Sequence, residues 1–157
     1  MSKIRVIRSG GQTGADRGAL DAARNLGVPI TGWCPLGGLA EDYPSPPGLL
    51  QPYPELKETP TRDYYERTAW NVRDSDATLI LLPRELTRSV GTEYTIKVAA
   101  ELKRPHLVLD HVDPDSAIAW LTTLKDDLDL NVAGPRERGF PGIYHMAYQL
   151  IAEILAC

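Results

Sequence analysis

Short apolar runs alternate with segments of helical period along the chain. The runs at residues 4–7, 29–33, 78–82, 106–109 and 128–132 have strand length. Between them, residues 15–26 place Ala15, Ala19, Ala22, Ala23 and Leu26 on one helical face. A second helix is predicted over 61–73, and a third follows Gly91. Asp113-Pro114 opens a fourth, as a cap residue followed by proline at the first helical position. In the fifth, Ile143, Met146, Ala147, Leu150, Ile151, Ile154 and Leu155 form one continuous apolar stripe. Strand and helix alternate five times, which implies right-handed crossovers and a parallel sheet covered on both faces. The expectation is one doubly wound α/β domain over residues 1–157, with five strands in the order 2-1-3-4-5. That order puts the first and third strands at the switch point, where such folds bind ligands.

Proline interrupts the pattern in one place: eight of the 13 prolines fall between Pro29 and Pro60. No regular helix survives that density, so this stretch is expected to be a loop excursion. The composition, 43% hydrophobic and 24% charged, is that of a globular protein, and 157 residues suffice to bury roughly 70% of the unfolded chain's surface. Seventeen basic against 21 acidic residues give a net charge of −4, which argues against a general nucleic-acid binder. Cys34 and Cys157 form neither a disulfide framework nor a metal pair, and the opening MSKIRVIRSGG lacks the long apolar run of a signal peptide. These features point to a reducing cytoplasm, with no membrane partner and no metal held by the protein itself.

Candidate chemistry lies in the segments after the strands. Ser9-Gly10-Gly11-Gln12-Thr13-Gly14 leads into a helix whose free N–H groups and dipole favour an anion, with Arg17 as a possible clamp. The same glycines would also serve a tight strand-to-helix turn needed for packing alone. The turn is neither the dinucleotide fingerprint nor a P-loop, because Ser9 holds the place of the first glycine and no Gly-Lys-Ser/Thr follows. After the third run, Ser89, Gly91, Thr92 and Glu93 open another helix beside Arg84 and Arg88; Thr92 either binds an anion or caps its helix. After the fifth run, Gly134-Pro135-Arg136 reads as a fixed turn presenting a guanidinium. Trp33 and Trp70 are aromatic surfaces for a heterocycle, or core residues at element ends.

The segments SGGQTGADRGALDAA, GWCP, ERTAWNVRDSDATLIL, SVGTE and NVAGPRE together resemble, over nearly the whole chain, the proteins designated molybdenum cofactor carriers. Those proteins are similar to a Rossmann-like group that includes the Lonely Guy phosphoribohydrolases, the DNA-processing proteins and the YpsA-like proteins. The resemblance implies a phosphorylated small molecule, the molybdenum cofactor or a related pterin or nucleotide, bound without turnover by a homo-oligomer, a dimer or tetramer. The implied binding set is Gly10, Gly11, Gln12, Thr13, Gly14, Arg17, Trp33, Arg67, Gly91, Thr92 and Glu93. Backbone N–H groups of Gly11 to Gly14 and of Gly91 and Thr92 would hold phosphate, Arg17 and Arg67 would neutralise it, and Trp33 would stack on the ring.

The phosphoribohydrolase pattern pairs an arginine with an aspartate nine residues on, as Arg67 pairs with Asp76 here. Its Gly-Thr-x-x-Glu motif reads Gly91-Thr92-Glu93-Tyr94-Thr95, so Thr95 holds the place of the catalytic carboxylate. Cleavage of an N-glycosidic bond needs a carboxylate beside the oxocarbenium-like transition state, and threonine cannot supply that charge. The alternative is a nucleoside monophosphate hydrolase that uses Asp16 or Glu93 as its carboxylate and Arg67 as its clamp.

Overall fold

A computed structural model describes residues 3–86 and 88–157. Strand β1 (Ile4–Arg8) leads to helix α1 (Ala15–Asn25), and the second run divides into β2 (Ile30–Thr31) and β3 (Trp33–Cys34). Then come β4 (Lys57–Glu58), α2 (Tyr64–Asp74), β5 (Ala77–Leu81), α3 (Val90–Glu101), β6 (His106–Leu109), α4 (Pro114–Leu121), β7 (Leu128–Ala133) and α5 (Ile143–Leu155). Among the described residues the main sheet has five strands, all parallel, in the order β2-β1-β7-β5-β6. The proline-rich excursion carries the small parallel pair of β3 and β4 and a 3₁₀ turn at Gly48–Leu50.

The strand order corrects the sequence expectation: counted over the five predicted runs it is 2-1-5-3-4, not 2-1-3-4-5. Burial explains the placement. β7 is buried from Leu128 through Val132 and β5 throughout, as central strands of a parallel sheet must be, whereas Val108 on β6 is 40% exposed and marks an edge. β7 is tied to β1 by an ion pair across the ladder. Arg8 donates from Nη2 to Asp129 Oδ2 at 2.8 Å and from Nε to Oδ1 at 3.0 Å, so the charge within the central strand has its partner on the neighbouring one.

Side chains alternate across the sheet, and the two faces differ. Leu128, Leu130 and Val132 of β7 and Ala77, Leu79 and Leu81 of β5 join the main apolar core with α1, α4 and α5. α2 and α3 pack with each other around a smaller cluster of Val72, Val98 and Ala99. The intervening residues of the central strands include Thr78, Asp129 and Asn131, and Asn131 donates to the Thr78 hydroxyl at 3.3 Å. The helix boundaries follow local chemistry. α2 starts at Tyr64 rather than at residue 61 because Asp63 accepts the Tyr65 N–H and caps it, and α4 starts at Pro114, capped by Asp113.

Candidate functional site

Side chains of the turn after β1 accept three of its backbone N–H groups. Ser9 Oγ accepts the Gly11 N–H at 3.0 Å, Asp16 Oδ2 that of Gln12 at 3.3 Å, and Gln12 Oε1 that of Thr13 at 3.0 Å. At the helix start, the Ala15 N–H donates to the Pro135 carbonyl and that of Arg17 to the Gln12 carbonyl. The glycines serve packing. Gly14, at φ 86°, lies so close to residues 135–137 that a Cβ would run into the Pro135 carbonyl oxygen. At Gly11, at φ 77°, a Cβ would come within 2.9 Å of Leu49 Cδ1.

The turn before α3 is different. Ser89, the N-cap residue, makes no side-chain bond to the helix backbone, and its hydroxyl donates to Thr92 Oγ1 at 2.7 Å. The first N–H groups of a helix have no intrahelical acceptor, and among the described residues those of Val90, Gly91 and Thr92 have no other partner. Carboxylates take that role at three other helices: Asp63 at α2, Asp113 at α4, and Glu137 near α5, where it accepts the N–H groups of Gly142 and Tyr144 at 2.7 and 3.0 Å.

α3 opens onto a cleft of about 290 Å³ at the carboxyl edge of the sheet. Its walls are Gly10, Gln12 and Asp16 of the first turn, Arg67, Thr68 and Asn71 of α2, and the segments 88–92 and 131–136 together with Thr95. The cleft lies where the loops after β5 and β7 part toward helices packed in different clusters, which is where an open α/β sheet accepts ligands.

Three arginines and one carboxylate, Asp16, line this cleft. Arg67, only 9% exposed, donates to the Gly10 carbonyl at 3.0 Å and lies 3.9 Å from Asp16. Arg88 projects from the rim, 74% exposed and 4.0 Å from Glu93. Arg136 pairs with Glu41 of the proline-rich excursion at 3.0 Å. Burial pushes the Asp16 carboxyl above its ordinary value, against the opposing pull of Arg67, the Gln12 amide, Arg17 and Arg136. The Tyr64 ring, on the first turn of α2, lies 5.3 Å from the Arg67 guanidinium and 5.8 Å from that of Arg136.

The profile of the circularly permutated YpsA SLOG family matches residues 7–155. The chain belongs to that family. Its SLOG-family fold is also seen in a crystal structure of a protein from Syntrophus aciditrophicus SB named "Putative molybdenum carrier protein". That chain is 38% identical, the match covers 98% of this chain and 96% of the other, and the TM-score is 0.85. None of the curated proteins matches the chain. The permutation accounts for the strand order. If β7 were placed at the head of this SLOG chain, the sheet would read 3-2-1-4-5, the order of the doubly wound dinucleotide-binding fold. The switch point therefore lies between β7 and β5 rather than between the first and third predicted strands.

The SLOG cleft gathers part of the residue set expected from sequence. Gly10, Gln12, Arg67, Gly91 and Thr92 line it. Gly11, Thr13, Gly14, Arg17, Trp33 and Glu93 are not among its lining residues. Arg17 turns the other way, donating to the Gly11 carbonyl and, at 2.8 and 2.9 Å, to both oxygens of Asp42, with the Tyr43 and Tyr53 rings nearby. That pairing holds the Asp42 carboxyl below its ordinary range. Thr13 accepts the Glu137 N–H, and exposed Glu93 lies 4.0 Å from Arg88. Trp33 donates its indole N–H to Asp74 at 2.8 Å and meets Trp70 edge to face, so it serves the contact between α2 and the excursion. Cys34 is buried, which pushes its thiol up to about 11.

Sequence reasoning missed Tyr64, Thr68 and Asn71 as neighbours of the cleft. A turn-by-turn reading of α2 from Arg67 would have found Tyr64 at i−3 and Asn71 at i+4, whereas Thr68 at i+1 gives no such signal. Arg136 was expected as a presented guanidinium, and it is a cleft residue. Among the described residues no three His, Cys, Asp or Glu side chains gather into a metal-ligating group, and no helix is long and apolar enough to cross a membrane.

Proposed function

We propose that the chain binds a phosphorylated heterocyclic small molecule in this cleft and carries it without turnover. A pterin of the molybdenum cofactor type is the cargo suggested by its likeness to the carrier protein. The observation that carries this reading is the start of α3, which opens on the cleft between Arg67 and Arg88 with N–H groups that have no acceptor and no capping carboxylate among the described residues. The phosphate would sit against Gly91 and Thr92, as the sequence suggested, whereas in the first turn the N–H groups of Gly11, Gln12 and Thr13 already have side-chain acceptors. Thr95 supports binding over hydrolysis, because it lines the cleft and donates to the Gly91 carbonyl at 3.0 Å, where the hydrolase pattern has a carboxylate.

The test pairs phosphorylated and dephosphorylated probes. Ribose 5-phosphate should raise the melting temperature and ribose should not. Arg88→Ala should weaken the phosphate form about three- to tenfold, with a reduced dependence on salt. Equal responses to both sugars would defeat the phosphate reading. One observation favours a rival, the 3.9 Å approach of Arg67 to Asp16 inside the cleft, which keeps one of the two carboxylates considered for an N-glycosidic hydrolase. Free base released from a nucleoside monophosphate by the wild type, and lost in Asp16→Asn, would establish that rival.

A further inference from the structure

Gln12 is 5% exposed and lines the cleft. Its Oε1 accepts two backbone N–H groups, those of Thr13 at 3.0 Å and Glu41 at 2.8 Å, and this fixes which end of the amide is oxygen. The amide nitrogen Nε2 is left without a partner. It is the one buried side-chain nitrogen or oxygen among the described residues in that state. A buried donor without an acceptor is destabilising, and such groups in folded proteins call for an explanation.

One helical turn on, Asp16 is 8% exposed and lines the same cleft. Its Oδ2 accepts the Gln12 N–H and faces Arg67, while Oδ1 takes no hydrogen bond among the described residues. Two residues that line the cleft, four apart in the chain, thus carry an unused amide donor and an unused carboxylate acceptor.

We infer that Gln12 and Asp16 together read a ring lactam, a carbonyl beside a ring N–H, as found in 6-oxopurines and pterins. Gln12 Nε2 donates to the ring carbonyl and the Asp16 carboxylate accepts the ring N–H. A ring with an exocyclic amine in place of the carbonyl and a bare ring nitrogen beside it, the adenine pattern, sets donor against donor and acceptor against acceptor. A site built from buried polar groups rejects such a mismatch because both of its own groups stay unpaired. This inference rests on the phosphorylated-heterocycle reading and specifies which heterocycle.

The experiment is a comparison of dissociation constants for guanosine, inosine and adenosine 5′-monophosphates and for ribose 5-phosphate. Both lactam nucleotides should bind the wild type at least about tenfold more tightly than the adenine nucleotide. Asp16→Asn and Gln12→Glu, each nearly isosteric, should bring that ratio to within about threefold of unity. The ratio is internal to each variant, so general weakening does not imitate the effect, and the wild-type ratio decides the matter even if a variant fails to fold. Equal binding of the three nucleotides alongside measurable binding of ribose 5-phosphate would overturn the lactam inference and leave phosphate binding standing. Absence of binding by all four probes would overturn both.

Discussion

The turns at residues 9–17 and 89–95 look alike in sequence, since each leaves a strand, carries glycine and opens a helix at the carboxyl edge of the sheet. They differ in where their backbone donors go. In the first, Ser9, Gln12 and Asp16 accept the N–H groups of Gly11, Thr13 and Gln12, and the glycines admit the backbone of the Pro135 loop and the side chain of Leu49. In the second, a Cβ on Gly91 would meet nothing within 4 Å, and the helix start has no capping side chain. Glycine therefore marks close packing at the first turn and open space at the second. A glycine-rich turn alone does not tell the two apart, because both use the same backbone freedom.

Matched substitutions should separate the turns most sharply at Gly14. Gly14→Ala puts a Cβ into the Pro135 carbonyl in a left-handed conformation and should cost at least about 3 kcal/mol in urea unfolding. A loss below about 1 kcal/mol would mean that the first turn is free to move. Next, Arg67→Ala should weaken ribose 5-phosphate by roughly 30-fold, about 2 kcal/mol for a lost charge-assisted contact. An unchanged affinity by calorimetry would remove Arg67 from the phosphate site.

Asp16→Asn probes the closed turn through pH. Burial raises the native carboxyl's pKa, so the native state binds its proton more tightly than the unfolded chain does. Stability is then lost as pH rises from the ordinary carboxylate range, near 4, through the raised native value. The asparagine variant should melt higher than the wild type at pH 8, and the gain should fade toward pH 4. A constant difference between the two melting curves would locate the effect elsewhere. The smallest change is expected at the open turn, where Gly91→Ala should stabilise by about 0.5 kcal/mol, because alanine suits a helix and the space around it is empty. Opposite signs for the same replacement at Gly14 and Gly91 would express the contrast between the turns in a single pair of unfolding curves.

Much of the fold could be read from local pattern. The apolar stripe of α5, the alanine face of α1 and the Asp113-Pro114 start of α4 are short-range signals, and the structure has each of them in place. Strand order is a long-range property, and the expected sequence of neighbours assumed that the chain begins where the sheet topology begins. The available clue was the alternation of Leu128, Asp129, Leu130, Asn131 and Val132, in which polar residues interrupt an apolar run and find partners on the adjacent strands. At the site, five of the eleven expected residues line the cleft and the other six do not. Arg17 and Trp33 belong to elements beside the cleft, but Asp42 and Asp74 hold them outside it. Those acceptors lie 25 and 41 residues away along the chain, out of reach of any local rule.

The position of β7 has a consequence for how the molecule comes into being. The ladders β2–β1 and β5–β6 touch no common strand except β7, which pairs with β1 on one side and β5 on the other. All four strands of these pairs precede β7 in the chain, so during synthesis no ladder can join the two pairs until β7 has emerged. The loop after β7 also supplies one wall of the cleft. Completion of the sheet and closure of the cleft's wall thus both wait for the strand that joins the halves to be translated.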